Sequence, residues 1–406
     1  MKNKFYTILG LFFLVFFFAP ASVHAAGINT VGFESGDSLE ADTTSGTFSV
    51  QTTTKRTGSY ALQTNPTTTA IGYYDIRCYI ATGAGSNCSE ASIFPGFQFQ
   101  YATLPASGDE DIADTIDTSN AKKMTVRINS DANLSVYNAA GTLLDTGATV
   151  LSASTWYLIE IKSTTGATSD YELKINGVSE LSGTDSFGTG NNRGLRLGKI
   201  TNTGGNTVNY YYDDVIIDNA AYVGAGQVTV MYPNANGNYQ TWSVGAGAGD
   251  HYTIVDEIPH DTDTTYLLSS GADEEAETEA LIDSGTAGIS GTVNMVRGFV
   301  VTKRAAGSNG SIKVRLRSGS TDSDSTGVAT SSAYLMRGKA FATDPATSAA
   351  WLVAALDSVE MGAVENQTGT ALSRMTLTAI MVHYAPAAAA AAAGANVDNF
   401  ILIFGE

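Results

Sequence analysis

The sequence predicts an all-β protein: two tandem antiparallel β-sandwich (jelly-roll) domains behind a cleaved signal peptide. Three observations carry this. Short runs of residues alternate apolar and polar side chains. The stretches between them are rich in Gly, Thr, Ser, Ala and Asn, with 42 Gly against 8 Pro. The 406 residues are enough for two cores of ordinary size.

The leader comes first. Lys2 and Lys4 precede the apolar run 5–18, and small residues at 21–26 follow it. That run is too short to span a bilayer comfortably, and the Ala25-Ala26 region suits a signal peptidase, so residues 1–26 are expected to be removed. The rest would work secreted or at the cell surface, with no membrane insertion after signal removal. The formal charge of −18 becomes more negative still without the two lysines, which disfavours nucleic acid and anionic lipid as partners. In an oxidising compartment Cys78 and Cys88 are expected to form a disulfide closing a small loop, the alternative being two unpaired thiols.

The first domain, 27–222, reads as a series of half-buried strands. Residues 48–51, 124–128, 134–137 and 156–162 alternate, and 171–177 ends in Asn176-Gly177, a pair that tolerates the positive φ of a tight hairpin turn. Residues 193–200 and 210–217 complete the set. Small residues at 222–226 mark a boundary, and a second domain, 227–406, opens at Gln227. Its strands are expected at 264–269, 292–302, 311–317, 333–336 and 375–384, with one helix-compatible stretch at 273–282, rich in Glu and Ala. An Ala-rich tether, 386–395, leads to a C-terminal strand at 398–405. That strand either closes its own domain or completes a neighbouring subunit, giving a homo-oligomer.

The succession "TWYLIEIKSTTGATSDYELKINGVSE", "GLRLGKI" and "YYYDDVIIDNA", with the opening "GFESGDSLEADTTSGTFSVQTTTKRTGSYALQTN", resembles laminin G-like, concanavalin A-like jelly-roll domains over about residues 30–222. Those domains carry a Trp-Tyr strand, a hairpin ending in Asn-Gly and a closing Asp-Asp-hydrophobic strand. The pieces "QTWSVGAGAGDHYTIVDEIPHDTDTTYLLSS" and "TDPATSAAWLVAALDSVEMGAVEN" resemble, more weakly, a β-sandwich module of phage virion proteins. The first resemblance implies a binding surface for glycan or for a cell-surface or structural protein. The second implies self-assembly.

Reactive groups are sparse in the pattern. Three histidines remain after the leader, no Gly-x-Ser-x-Gly elbow is present, and Glu-x-Asp-x-Glu is missing. Glu160 and Glu172 read as members of a solvated sheet face. His251 and His260 lie among Asp250, Asp256, Glu257, Asp261 and Asp263 without a metal-ligand spacing, so a structural role is expected. Calcium is the expected cofactor if there is one, at the acidic clusters 109–117, Asp213-Asp214 or Asp322 with Asp324, and Asp213 and Asp214 are the first candidates. Tyr210, Tyr211, Tyr212 and Trp242 are the candidate sugar platform, because a pyranose face stacks on a flat ring. Together these give a non-catalytic exported surface or structural protein, not an enzyme. The alternatives are a virus-derived or filament-forming structural protein and a secreted glycan-cleaving enzyme.

Overall fold

The computed structural model describes residues 27–77, 88–201, 205–307, 310–367 and 371–387. The leader, Cys78, the tether beyond residue 387 and the 398–405 strand lie outside them. Among the described residues the chain forms four antiparallel sheets stacked in two pairs. No helix there is long and apolar enough to cross a membrane.

The first sheet runs in the order Val178–Asp185, Ser169–Ile175, Tyr157–Thr164, Ser92–Thr103, Asn209–Asp218, Ala61–Thr64, Phe48–Gln51, with Gly27–Val31 also paired to Asn209–Asp218. The second runs Leu143–Thr146, Leu134–Tyr137, Lys122–Asn129, Asp109–Asp117, Asn192–Lys199, Gly72–Arg77, Thr43–Gly46. Period-two alternation explains the stacking: Phe97, Phe99, Ile159, Ile161, Tyr210 and Tyr212 of the first sheet share one core with Tyr74, Ile76, Met124, Val126, Leu195 and Leu197 of the second. The Asn176-Gly177 turn has the positive φ values expected of it, 52° and 80°, and pairs Ile175 with Val178. No atom crowds Gly177, so Gly177→Ala should cost about 1 kcal/mol through φ alone, read from denaturant unfolding.

The second pair follows the same logic. The third sheet runs Ser243–Ala246, Tyr266–Leu268, Leu372–Ala385, Thr292–Ala306, Leu335–Phe341, with Gln227–Met231 beside Leu372–Ala385. The fourth runs Pro233–Gln240, Ala276–Leu281, Val359–Gln367, Gly310–Ser318, Thr321–Asp324, with Val328–Ala329 beside Gly310–Ser318. The helix-compatible stretch 273–282 is therefore corrected: its centre is the strand Ala276–Leu281, held between two neighbours. Backbone pairing on both edges overrides the helical preference of Ala and Glu.

The two sandwiches meet through the outer face of the third sheet. Val228, Phe299, Val301, Met336, Leu377 and Met381 form a separate apolar cluster with Leu39 of the first sandwich. Arg297, almost fully buried, reaches across and donates from Nη1 to the Thr30 carbonyl at 3.1 Å. Glu40 lies in its field, accepting from the backbone N–H groups of Phe33 and Ser35. Burial pushes the Glu40 carboxyl up to about 7 against the opposing pull of Arg297.

Candidate active site

The residues singled out from sequence go to different places. Tyr210 and Tyr212 are fully buried between the first two sheets, and Trp242 is buried in the second sandwich, so none of the three can stack on a sugar. That expectation is corrected. Alternation turns the first and third tyrosines of the triplet inward, and only Tyr211 stays half-buried on the outer side, near Gln63 and Asn209.

Asp213 and Asp214 flank a bulge in the strand Asn209–Asp218, where Asp214 takes φ 49°. Their oxygens are engaged: Asp213 accepts from the N–H groups of Arg56, Thr57 and Asp214, and Asp214 from the Thr57 hydroxyl, the Val228 N–H and Arg56 Nη1 at 2.7 Å. Calcium at this pair would have to displace those bonds. Of the predicted disulfide, Cys88 is buried in the first core and Cys78 is outside the described residues. Glu160 is not solvated as expected. It is almost fully buried, and its carboxylate accepts from the Gly224 N–H.

A different set converges on the outer face of the second sheet. Directly opposed residues on successive strands give one row: Thr43, Asp75, Arg196, Asp114, Thr125, Tyr137 and Leu143. Opposed residues share a face, so this register brings side chains from seven strands into line. Thr43 and Leu143 are exposed at the rims, while Asp75, Asp114 and Thr125 are buried in the middle. The row crosses the sheet from edge to edge, with its charged centre buried under neighbouring side chains.

Charge fills its centre. Arg196 grips Asp75 with both oxygens, Nε to Oδ1 at 2.5 Å and Nη2 to Oδ2 at 2.9 Å. Arg127 donates from Nε to Asp111 Oδ1 at 2.7 Å, and the Thr201 N–H and hydroxyl hold Asp111 Oδ2. Each guanidinium also lies over a tyrosine ring, Arg196 on Tyr73 at 4.5 Å and Arg127 on Tyr137 at 4.1 Å. The Tyr137 hydroxyl donates to Asp109.

Asp114 differs from these. Both of its oxygens are buried, with the Thr125 hydroxyl on the adjacent strand directly opposite. Burial, then the neighbouring charge of Asp111, push its carboxyl up to about 7 despite Thr125, Lys122 and Arg196. A carboxyl poised near neutrality and flanked by two fixed guanidinium–carboxylate pairs is suited to proton transfer beside a developing negative charge.

The sequence marked 109–117 only as an acidic cluster. Asp111 and Asp114 are three apart and would face opposite sides of a regular strand. A bulge between Asp111 and Ala113 sends Ile112 and Ala113 both into the core, which leaves both aspartates outside. No periodicity rule reads that from the letters. A recess of about 280 Å³ lies where the sandwiches meet and is lined by Glu34, Tyr60, Tyr232 and Asp256. Burial pushes the Glu34 carboxyl up to about 8 there, although the N–H groups of Ser59 and Tyr60 donate to it, and burial raises Asp256 as well.

No family model matches the chain and no curated protein matches it in sequence. Solved structures match about half of it. The endo-β-1,4-glucuronan lyase from the fungus Trichoderma reesei is 16% identical with a TM-score of 0.37, over 48% of this chain and 96% of that one. The alginate lyase AlgAT5 from Polysaccharide Lyase family 7 is 12% identical with a TM-score of 0.32, over 40% and 79%. The carbohydrate-binding module CBM66 from Bacillus subtilis is 11% identical with a TM-score of 0.29, over 43% and 94%. The likeness is one of β-sandwich fold. The expectation of a non-catalytic protein is corrected at this point: the similar structures include proteins named as polysaccharide lyases, and the second sheet holds a buried carboxyl, Asp114, raised to about 7.

Proposed function

We propose that this chain is an extracytoplasmic enzyme that cleaves a polysaccharide along the row on the outer face of the second sheet, with Asp114 as the proton-transfer group. The observation that carries this is the row itself. The row reaches exposed residues at both edges of the sheet, which suits an extended polymer lying across it, and a buried carboxyl raised to about 7 lies at its centre. Arg127 and Arg196, fixed by Asp111 and Asp75, would stabilise negative charge on the sugar without reorganising. The glucuronan and alginate acted on by the enzymes of similar fold define the first substrates to try.

The test is incubation of the purified protein with a panel of neutral and uronate-containing polysaccharides, with products separated by size. Shorter chains bearing ultraviolet-absorbing unsaturated ends indicate elimination, and new reducing ends without them indicate hydrolysis. Either outcome supports cleavage. Intact polymers across the panel, or undiminished cleavage by Asp114→Asn, would sink the proposal.

A further inference from the structure

A second constellation lies in the other sandwich, far in sequence from the row of the second sheet. The strand Ala276–Leu281 aligns Glu277 with Ala363 and Glu279 with Met361, both core residues, so these two glutamates point into the interior. Both are fully buried. The short 3₁₀ turn His251–Ile254 places His251 above them, its Nδ1 2.7 Å from Glu277 Oε1. One ligand atom from each of His251, Glu277 and Glu279 falls within 4.8 Å of the others.

We propose that His251, Glu277 and Glu279 bind a divalent transition ion of the zinc class. Three features point to it. The donor set of one imidazole and two carboxylates is a zinc-type set, whereas calcium takes oxygen alone. Glu279 Oε1 is buried with no direct hydrogen-bond partner, beside a second buried carboxyl, and a cation between them would satisfy both. The remaining oxygens are oriented from behind: Glu277 Oε2 accepts the Trp242 N–H at 2.8 Å and Glu279 Oε2 the Gln240 amide at 3.4 Å, the outer-shell support that metal-binding carboxylates require. The His251 side chain is 20% exposed, which leaves a route for the ion and room for water at the fourth position. The ion would pin the 3₁₀ turn to the fourth sheet, since its ligands come from both.

The experiment uses tag-free protein, stripped with chelator and dialysed. Titration with Zn²⁺ by calorimetry should give one site per chain and a raised unfolding temperature, and Co²⁺ should give visible absorption bands of a low-symmetry N/O site. Glu279→Gln keeps the shape while removing an anionic ligand, and His251→Gln changes a partly exposed position. Each should weaken affinity at least about tenfold. No Zn²⁺ uptake by folded wild-type protein, or equal uptake by both variants, would overturn the site.

Discussion

Asp114→Asn is expected to lower the turnover of polysaccharide by about 10²- to 10⁴-fold, the span that a positioned general acid or base contributes. The amide has the shape of the carboxyl but can neither take nor release the proton. The fold should survive, with a direction that can be worked out. The folded carboxyl sits at about 7 against an ordinary 3.8, so between these values the folded chain holds a proton that the unfolded chain has released. Its contribution to stability is therefore greatest below about pH 4 and falls as pH rises through 7. Asparagine carries no such loss. Denaturant unfolding at pH 4 and pH 8 should find the variant level with the wild type at the first and more stable at the second. Loss of activity with that stability pattern assigns Asp114 to the chemistry. Loss of activity with a collapsed fold at both pH values would refute the assignment.

Arg297→Met is expected to destabilise the protein by about 1–3 kcal/mol at pH 8, the scale of leaving a buried hydrogen-bond acceptor unsatisfied. The guanidinium joins the two sandwiches, bonded to the Thr30 carbonyl, and its charge acts on Glu40. Methionine fills much of the volume and satisfies neither group. The loss should depend on pH. Glu40, pushed up to about 7, is charged at pH 8 and needs the cation, whereas at pH 5 it holds a proton and the cation matters less. Unfolding free energies at the two pH values give the difference directly. An equal loss at both would mean that Arg297 acts by packing and not by its charge.

Much of the fold was legible because it rests on local, repeating signals. The alternation in 156–162 and 171–177 placed two strands, and Asn176-Gly177 placed the turn that follows the second, since only residues tolerant of positive φ close a two-residue hairpin. The stretch 273–282 misled for the same reason in reverse: Glu and Ala favour helix locally, and only the flanking strands show that Glu277 and Glu279 alternate inward. The tyrosine triplet showed its alternation but not its phase, so which rings face the core had to come from the partner strands.

The site was not legible, and the reason is geometric. Its row joins Thr43, Asp75, Arg196, Asp114, Thr125 and Tyr137, residues spread over more than half of the first sandwich, and a bulge at Ile112 sets the facing of the central carboxyl. Sequence by itself determined the all-β class, because side-chain periodicity and turn chemistry act over a few residues. Tertiary structure alone decided which charges meet and which are buried, because strand register couples distant segments and burial sets their ionisation.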